Sequence, residues 1–224
     1  MIDTEVHNDH TFGHWVFSPP ALVINAEGAG AAMKKQFDPK RVETLAKESP
    51  EMAEAAKGYK MIVPQIEYRN RMTINLGERT FELINLKNVH SEADTAVWLP
   101  KERVLFAASA ANVKSIINLR PFVRIPDVLA SYKLMKSLNP EIVVPGHGAV
   151  STTKIFDEYG SVLYSVDEAS RRNGGAGKIS GRDQKRAQDA GVRRLGRAKQ
   201  FAAKYHSRLR VAQEMIPINM TFSR

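Results

Sequence analysis

The spacing of the apolar residues changes at Ile66. From there to Leu76 apolar and polar residues approximately alternate, Gly77-Glu78 forms a turn, and the alternation resumes at Phe81. A period of two places alternate side chains on one face of a β-strand. The pattern therefore predicts a β-hairpin or meander. Further short strands are predicted at Thr95–Leu99, Arg103–Ala107 and Glu141–Val144.

Helical spacing lies on both sides of these strands. Apolar residues three or four apart predict helices, and prolines mark helix starts or breaks. The predicted helices are Gly28–Glu48 with a break near Asp38-Pro39, Glu51–Lys57, Ile125–Leu138, Thr153–Arg172 and Arg182–Glu214. Trp15–Asn25 is predicted to form two short strands around Ser18-Pro19-Pro20, and Asn173–Gly177 a loop. Strands and helices together indicate an α/β protein.

The composition excludes several classes of protein. Of the 224 residues, 43% are apolar and 25% are charged, which excludes a collagen-like or wholly disordered chain. Cysteine is absent, so disulfides, thiolate ligands and a cysteine nucleophile are excluded. No apolar run approaches the roughly 18 residues of a membrane span, and no leader-like segment opens the sequence. We therefore expect a cytoplasmic protein with no membrane contact.

The net charge of +9 is concentrated in residues 151–224, whereas residues 1–150 are nearly neutral. We expect a domain of residues 1–150 and a basic helical extension of residues 151–224 packed on it. The extension has one apolar face, which includes Leu195, Phe201 and Ala202, and its arginines Arg193, Arg194 and Arg197 are expected to face solvent. Alternatively, these basic residues bind a phosphate-bearing substrate or nucleic acid. The extension lacks, however, the interleaved aromatic residues of proteins that bind single-stranded nucleic acid.

Potential metal ligands occur at three places in residues 1–150. They are Glu5, His7, Asp9 and His10 in one loop, His90 after the predicted hairpin, and His147 in a Pro-Gly-His-Gly turn after a strand. Imidazole and carboxylate suit zinc, and also iron or manganese. Taken alone, each histidine is more simply explained as a solvated or capping residue. Their combination indicates a metal site, and one loop with four ligands is able to serve two metals.

The order and spacing of these ligand-bearing segments resemble those of the metallo-β-lactamase superfamily of metallohydrolases. That family carries a His-x-His-x-Asp-His loop, in whose place Glu5-Val6-His7-Asn8-Asp9-His10 stands here. Its next ligand is a histidine before two strands, matched by His90-Ser91-Glu92-Ala93-Asp94, and its last lies in a turn matched by Pro145–Gly148. The resemblance covers residues 1–150. It implies an α/β fold of the αββα sandwich type.

The resemblance also implies a role for each ligand. The first metal site would consist of Glu5, His7 and His90, and the second of Asp9, His10 and His147. Asp9 would also orient the attacking water, and Asp94 would support a ligand or cap the start of a strand. The implied cofactor is one or two zinc ions, with iron or manganese as alternatives. The implied reaction is hydrolysis of an ester-like bond, such as a thioester, lactone, β-lactam or phosphoester, by water that the metal activates.

Three departures from the family pattern leave alternatives open. Glu5 replaces a histidine, and two histidines with one carboxylate also describe a non-haem iron site. Ser109 stands at or beside the position where related hydrolases have an aspartate that bridges two metals, although some β-lactamases of the superfamily have serine there and still hold two metals. Only Met1-Ile2 precede Asp3, so the fold is expected to be N-terminally shortened, with an exposed strand edge or apolar strip. A partner or a second copy in a homo-oligomer would cover that surface, unless the chain is a shortened reading frame or its fold is marginal.

Three functions therefore stay open. The chain is a hydrolase of a small molecule, with an anionic substrate as one option, a metal-dependent nuclease or phosphoesterase, or an inactive binding protein with a partial site. Arg120, Arg124 and Tyr132 are polar candidates for substrate contact, although solvated positions explain them more simply. Metal content separates the binding protein from the enzymes, and salt-dependent nucleic-acid binding separates the nuclease from the small-molecule hydrolase.

Overall fold

The computed structural model describes residues 1–112, 120 and 122–172. Its helices are α1 (Asn8–Thr11), α2 (His14–Phe17), α3 (Ala29–Gln36), α4 (Pro39–Leu45), α5 (Pro50–Ala56), α6 (Ile125–Ser137) and α7 (Lys154–Arg172). Its strands are β1 (Ile24–Ala26), β2 (Ile66–Tyr68), β3 (Arg71–Leu76), β4 (Arg79–Lys87), β5 (Asp94–Leu99), β6 (Val104–Ala108) and β7 (Ile142–Pro145). None of the helices described is long and apolar enough to cross a membrane.

The larger sheet contains five strands in the order β3-β4-β5-β6-β7. Strands β3 to β6 each run antiparallel to the next, and β7 runs parallel to β6. The hairpin between β3 and β4 closes through Gly77-Glu78, with Gly77 at φ 58°, a conformation that suits glycine in a tight hairpin turn. Every residue of β5 is buried, because both faces of this central strand are covered.

The smaller sheet pairs β1 with β2 in parallel, and α3, α4 and α5 lie between the two strands in sequence. Ile2 extends this sheet by a parallel bridge to Ile24. An apolar cluster joins the two sheets and contains Val6, Ala26, Ala29, Met33, Tyr68 and Leu83. The start of the chain is therefore built into the fold, since Val6 is fully buried between the sheets.

The opposite face of the larger sheet is covered by α6 and α7. Both helices place their apolar residues in a second cluster with β5 and β6, including Trp98, Leu105, Val128, Met135, Phe156 and Leu163. Sheet and helix layers of this kind confirm the mixed α/β architecture predicted from the sequence. The structure also confirms four predicted helical segments, with small shifts at their ends: 28–48, 51–57, 125–138 and 153–172.

The strand predicted at Trp15 is wrong, because Trp15–Phe17 belong to α2 and the strand begins only at Ile24. The apolar run misled the prediction. Val16 and Phe17 are each 60% exposed, and the buried side chain of α2 is His14. The predicted loop at Asn173–Gly177, the helix at Arg182–Glu214 and its solvent-facing arginines lie outside the described residues.

The larger sheet ends at β3. Within residues 1–112 and 122–172, no strand pairs with its outer side, and Leu76 at its end is 71% exposed. Every open sheet ends in such edges, so the exposed edge or apolar strip expected from a shortened N-terminus stays a prediction.

Candidate metal centre

The loop that carries four of the predicted ligands is fixed by its backbone. The N–H of Thr95 donates to the carbonyl of Thr4 at 2.8 Å, and the Asn25 side chain donates to the carbonyl of Glu5 at 3.4 Å. The Gln36 amide donates to the carbonyl of Val6. These contacts hold the segment from Thr4 to His7 beside β5, and α1 then begins directly after His7.

The first group of ligands consists of Glu5, His7 and His90. The Glu5 carboxylate oxygen Oε2 lies 2.6 Å from His7 Nδ1 and 3.4 Å from His90 Nε2. The two imidazole rings meet edge to face with centroids 4.8 Å apart. Glu5 is fully buried and the histidines are largely buried. The structure thus brings together the three residues that the family resemblance assigned to one site.

Asp94 fixes the loop that carries His90. Its buried carboxylate accepts hydrogen bonds from the backbone N–H groups of Val89, His90 and Ser91 at 2.7–3.0 Å, and from the Ser91 hydroxyl. Burial raises the pKa of Asp94 to about 7, and the hydrogen bonds from Ser91 and His90 act in the opposite direction. The same hydrogen bonds therefore serve both predicted roles of Asp94: they cap the start of β5, and they hold the backbone of the ligand His90.

The second group consists of Asp9, His10 and His147. His10 Nε2 lies 3.2 Å from His147 Nε2, and Asp9 Oδ2 lies 3.3 Å and 3.2 Å from those same two nitrogens. This group faces solvent more than the first, since the Asp9 and His147 side chains are 59% and 54% exposed. Solvent therefore reaches the centre from the side of the second group.

The turn that carries His147 is packed against the end of β6. Gly146 donates its N–H to the carbonyl of Ala108 at 2.7 Å, and the Asn112 side chain accepts the N–H of His147 at 3.1 Å. Ala108 has φ 51°, a left-handed conformation that costs energy in a residue with a Cβ. That conformation redirects the chain so that the N–H of Ser109 reaches Glu5 Oε1 at 3.2 Å.

The charge state of the first group suits a cation. Burial opposes ionisation of Glu5, but the hydrogen bond from His7, the charge of His10 and the hydrogen bond from Ser109 outweigh it and lower the pKa of Glu5 to about 2. Burial lowers the pKa of His90 to about 4 against the opposing effect of Glu5. At neutral pH, Glu5 is therefore an anion and His90 a neutral imidazole with a free electron pair, which are the forms that bind metal.

The buried charge of Glu5 is a second reason to expect a metal ion at this site. A buried carboxylate needs a compensating charge, yet within the described part of the chain no lysine or arginine forms an ion pair with Glu5. The groups that face it are three imidazoles and one backbone N–H. Imidazoles and carboxylates converging on one point are the donor set of zinc, iron or manganese.

The other residues considered from the sequence have different positions. His14 is a packing residue, buried between the Ile62 carbonyl at 3.1 Å and Asp3 at 3.5 Å. Tyr132 is not solvated, because it is buried with its hydroxyl donating to the Ala110 carbonyl. Arg124 is exposed beside Asp127. Arg120 is half-buried, and its charge acts on His90.

Three residues that position the ligands belong to no recognisable sequence motif and were not predicted: Asn25, Gln36 and Asn112. Asn25 alone carried a signal, as a polar residue inside an otherwise apolar run. It is fully buried, and its side chain links Asp3 and the Glu5 carbonyl to Thr95.

Comparison with known families decides the membership of the chain. The family model of the metallo-beta-lactamase superfamily matches residues 4–147, a span that contains both ligand groups. The chain belongs to the metallo-β-lactamase superfamily. Most members of this superfamily are metal-dependent hydrolases, and members typically bind metal ions. No curated protein matches the chain.

Solved structures agree with the family at the level of the fold. A metallo-beta-lactamase from Pontibacter korlensis is 17% identical, with a TM-score of 0.54 over 73% of this chain and 67% of that one. A metallo-beta-lactamase family protein from Thermus thermophilus is 19% identical, with a TM-score of 0.56 over 75% and 61%. The sec-alkylsulfatase of Pseudomonas sp. is 11% identical, with a TM-score of 0.59 over 82% and 37%. The chain thus spans about two thirds of the length of these metallo-beta-lactamases.

Proposed function

We propose that the chain is a hydrolase that uses zinc to cleave an ester-like bond, a thioester, lactone or β-lactam, in a small anionic molecule. The observation that carries the proposal is the convergence of two ligand groups on Glu5, one buried and one open to solvent. Such a pair supports hydrolysis because two adjacent metal ions activate water and polarise the bond that is cleaved. Iron or manganese at the same ligands would support the same reaction class.

The chain's own residues supply position and charge. Asp94 holds the His90 backbone, and Asn112 holds the backbone of His147, so both histidines are fixed before substrate binds. Preorganised groups of this kind contribute to catalysis because they need not rearrange during the reaction. Asp9 lies on the exposed side of the centre, where its carboxylate is placed to accept a proton from an incoming water.

Arg120 favours an anionic substrate. Its charge acts on His90, and its Nε is buried without a hydrogen-bond partner among the described residues. The residue as a whole is half-buried, and a guanidinium group pairs well with a carboxylate, sulfate or phosphate group, which the substrate would supply. The proposal thus places the anionic group of the substrate beside the first ligand group.

The test uses the whole chain loaded with zinc and a panel of small chromogenic substrates: a β-lactam, a lactone, an acyl thioester, a secondary alkyl sulfate and a phosphodiester. We expect cleavage of at least one of the first three, lost on chelation and restored by zinc. His90→Ala and His147→Ala should each reduce the rate by about 100-fold or more, since even changes to residues behind metal ligands cost 10–100-fold. Cleavage of the phosphodiester alone would instead identify a nuclease or phosphoesterase, and failure to bind metal would identify a binding protein.

A further inference from the structure

The two oxygens of the Glu5 carboxylate face different ligand groups. Oε2 lies 2.6 Å from His7 Nδ1 and 3.4 Å from His90 Nε2. Oε1 lies 3.2 Å from His10 Nε2, which belongs to the other group. A single fully buried side chain therefore borders both groups, and each of its oxygens borders one of them.

We propose that Glu5 bridges two metal ions, with Oε2 binding the ion of His7 and His90 and Oε1 binding the ion of His10. The inference rests on the proposed function, because it needs both groups to hold metal. It differs from the role implied by the family resemblance, in which Glu5 belongs to the first site only and the bridge stands at the position of Ser109. Ions about 3.5–4 Å apart are usual in two-metal sites.

Ser109 is the second observation that supports a bridging Glu5. Its side chain is fully buried and ends in a neutral hydroxyl, so it is a poor bridge between cations. Its backbone N–H instead donates to Glu5 Oε1 at 3.2 Å. Ser109 thus orients the oxygen that we assign to the second ion.

Charge disfavours an acidic residue at 109 beside Glu5. The backbone N–H of Ser109 lies 3.2 Å from Glu5 Oε1, so positions 5 and 109 border the same buried site. An aspartate at 109 would bring a second carboxylate against Glu5 in a buried site, where like charges repel strongly. The bridging carboxylate therefore stands at position 5 in this chain, in place of the one that related hydrolases have at position 109.

The experiment loads the whole chain with Mn²⁺ and measures metal stoichiometry together with the electron paramagnetic resonance spectrum, in which ions joined by a bridge show magnetic coupling. We expect two ions per wild-type chain and a coupled spectrum. Glu5→Gln keeps the side-chain shape and should abolish the coupling and weaken binding of the second ion by at least about 10-fold. His147→Ala is the comparison variant, because it removes a ligand of the second group only: it should also lose the coupling but keep the first ion at wild-type affinity, whereas Glu5→Gln should weaken the binding of both ions.

A double substitution guards against loss of folding. Glu5→His alone should lack coupling, and Glu5→His with Ser109→Asp should regain it, because the double variant returns the carboxylate to position 109. Coupling that survives in Glu5→Gln and in Glu5→His would overturn the bridge while leaving the hydrolase intact. Two uncoupled ions in the wild type would also overturn the bridge, and a chain that binds no metal would overturn the bridge and the proposed function together.

Discussion

Gly146 lies so close to Ser109 that a Cβ at position 146 would be 2.3 Å from the Ser109 hydroxyl and 2.6 Å from its backbone nitrogen. Only glycine fits between the turn of His147 and the end of β6. The close approach sets the position of His147 relative to Glu5, because Ser109 donates to Glu5 from the same point.

Gly146→Ala should therefore destabilise the protein by about 1–3 kcal/mol, the usual cost of overpacking a buried position, and reduce metal binding by the second group. Thermal unfolding and metal titration measure the two effects. Gly13→Ala is the matched control, since a Cβ there meets no atom within 4 Å among the described residues. Equal stability and equal metal affinity in Gly146→Ala and Gly13→Ala would contradict the account of this turn.

Asp94→Asn should lower the free energy of unfolding by about 1–3 kcal/mol, because an amide NH₂ would face N–H groups that need an acceptor. The buried Asp94 carboxylate accepts the N–H groups of Val89, His90 and Ser91. Metal affinity of the first group should fall as well, since the backbone of His90 loses its anchor. Denaturant unfolding checks the first effect, with the exposed Asp127→Asn as control; an Asp94→Asn variant as stable as that control would show that the cap contributes nothing.

Arg120→Ala should raise the KM of an anionic substrate about 10- to 100-fold, since hydrogen bonds to charged groups are worth about 1.5–3 kcal/mol. The KM of an uncharged analogue should change little, and Arg120→Lys should restore part of the loss. Steady-state kinetics on a matched pair of esters, with and without a carboxylate, measure the difference. Arg124→Ala is the control, because Arg124 is exposed. An equal effect of Arg120→Ala on both esters would remove the basis for an anionic substrate.

The ligand groups could be predicted because the order and spacing of the ligand-bearing segments resemble those of a known family; the strand patterns alone placed His90 and His147 only at a strand end and a turn. The structure places the rings of His90 and His147 with their centroids 4.8 Å and 5.0 Å from those of His7 and His10. The helix at Trp15 was wrongly predicted as a strand, because an apolar run does not reveal whether its side chains are buried. Val16 and Phe17 are mostly exposed.

The position of Glu5 between the two groups depends on tertiary contacts. Alternation in the loop predicts that Glu5 and His7 share one side, but it carries no information about the distance to His10, which α1 determines. Asn25 and Asn112 were missed for a similar reason, since a single asparagine forms no recognisable motif. Their hydrogen bonds to backbone groups of Glu5 and His147 exist only in the folded chain.

Zinc content of the whole chain, purified without chelator and then equilibrated with zinc, decides whether the two ligand groups form a metal centre. We expect two ions per chain, a fall to one in His147→Ala, and a lower unfolding temperature after chelation, because a ligand at 100 times its Kd stabilises the folded state by about 2.7 kcal/mol. If the wild-type chain retains no zinc and unfolds at the same temperature with and without chelator, Glu5 and the four histidines do not form a metal centre.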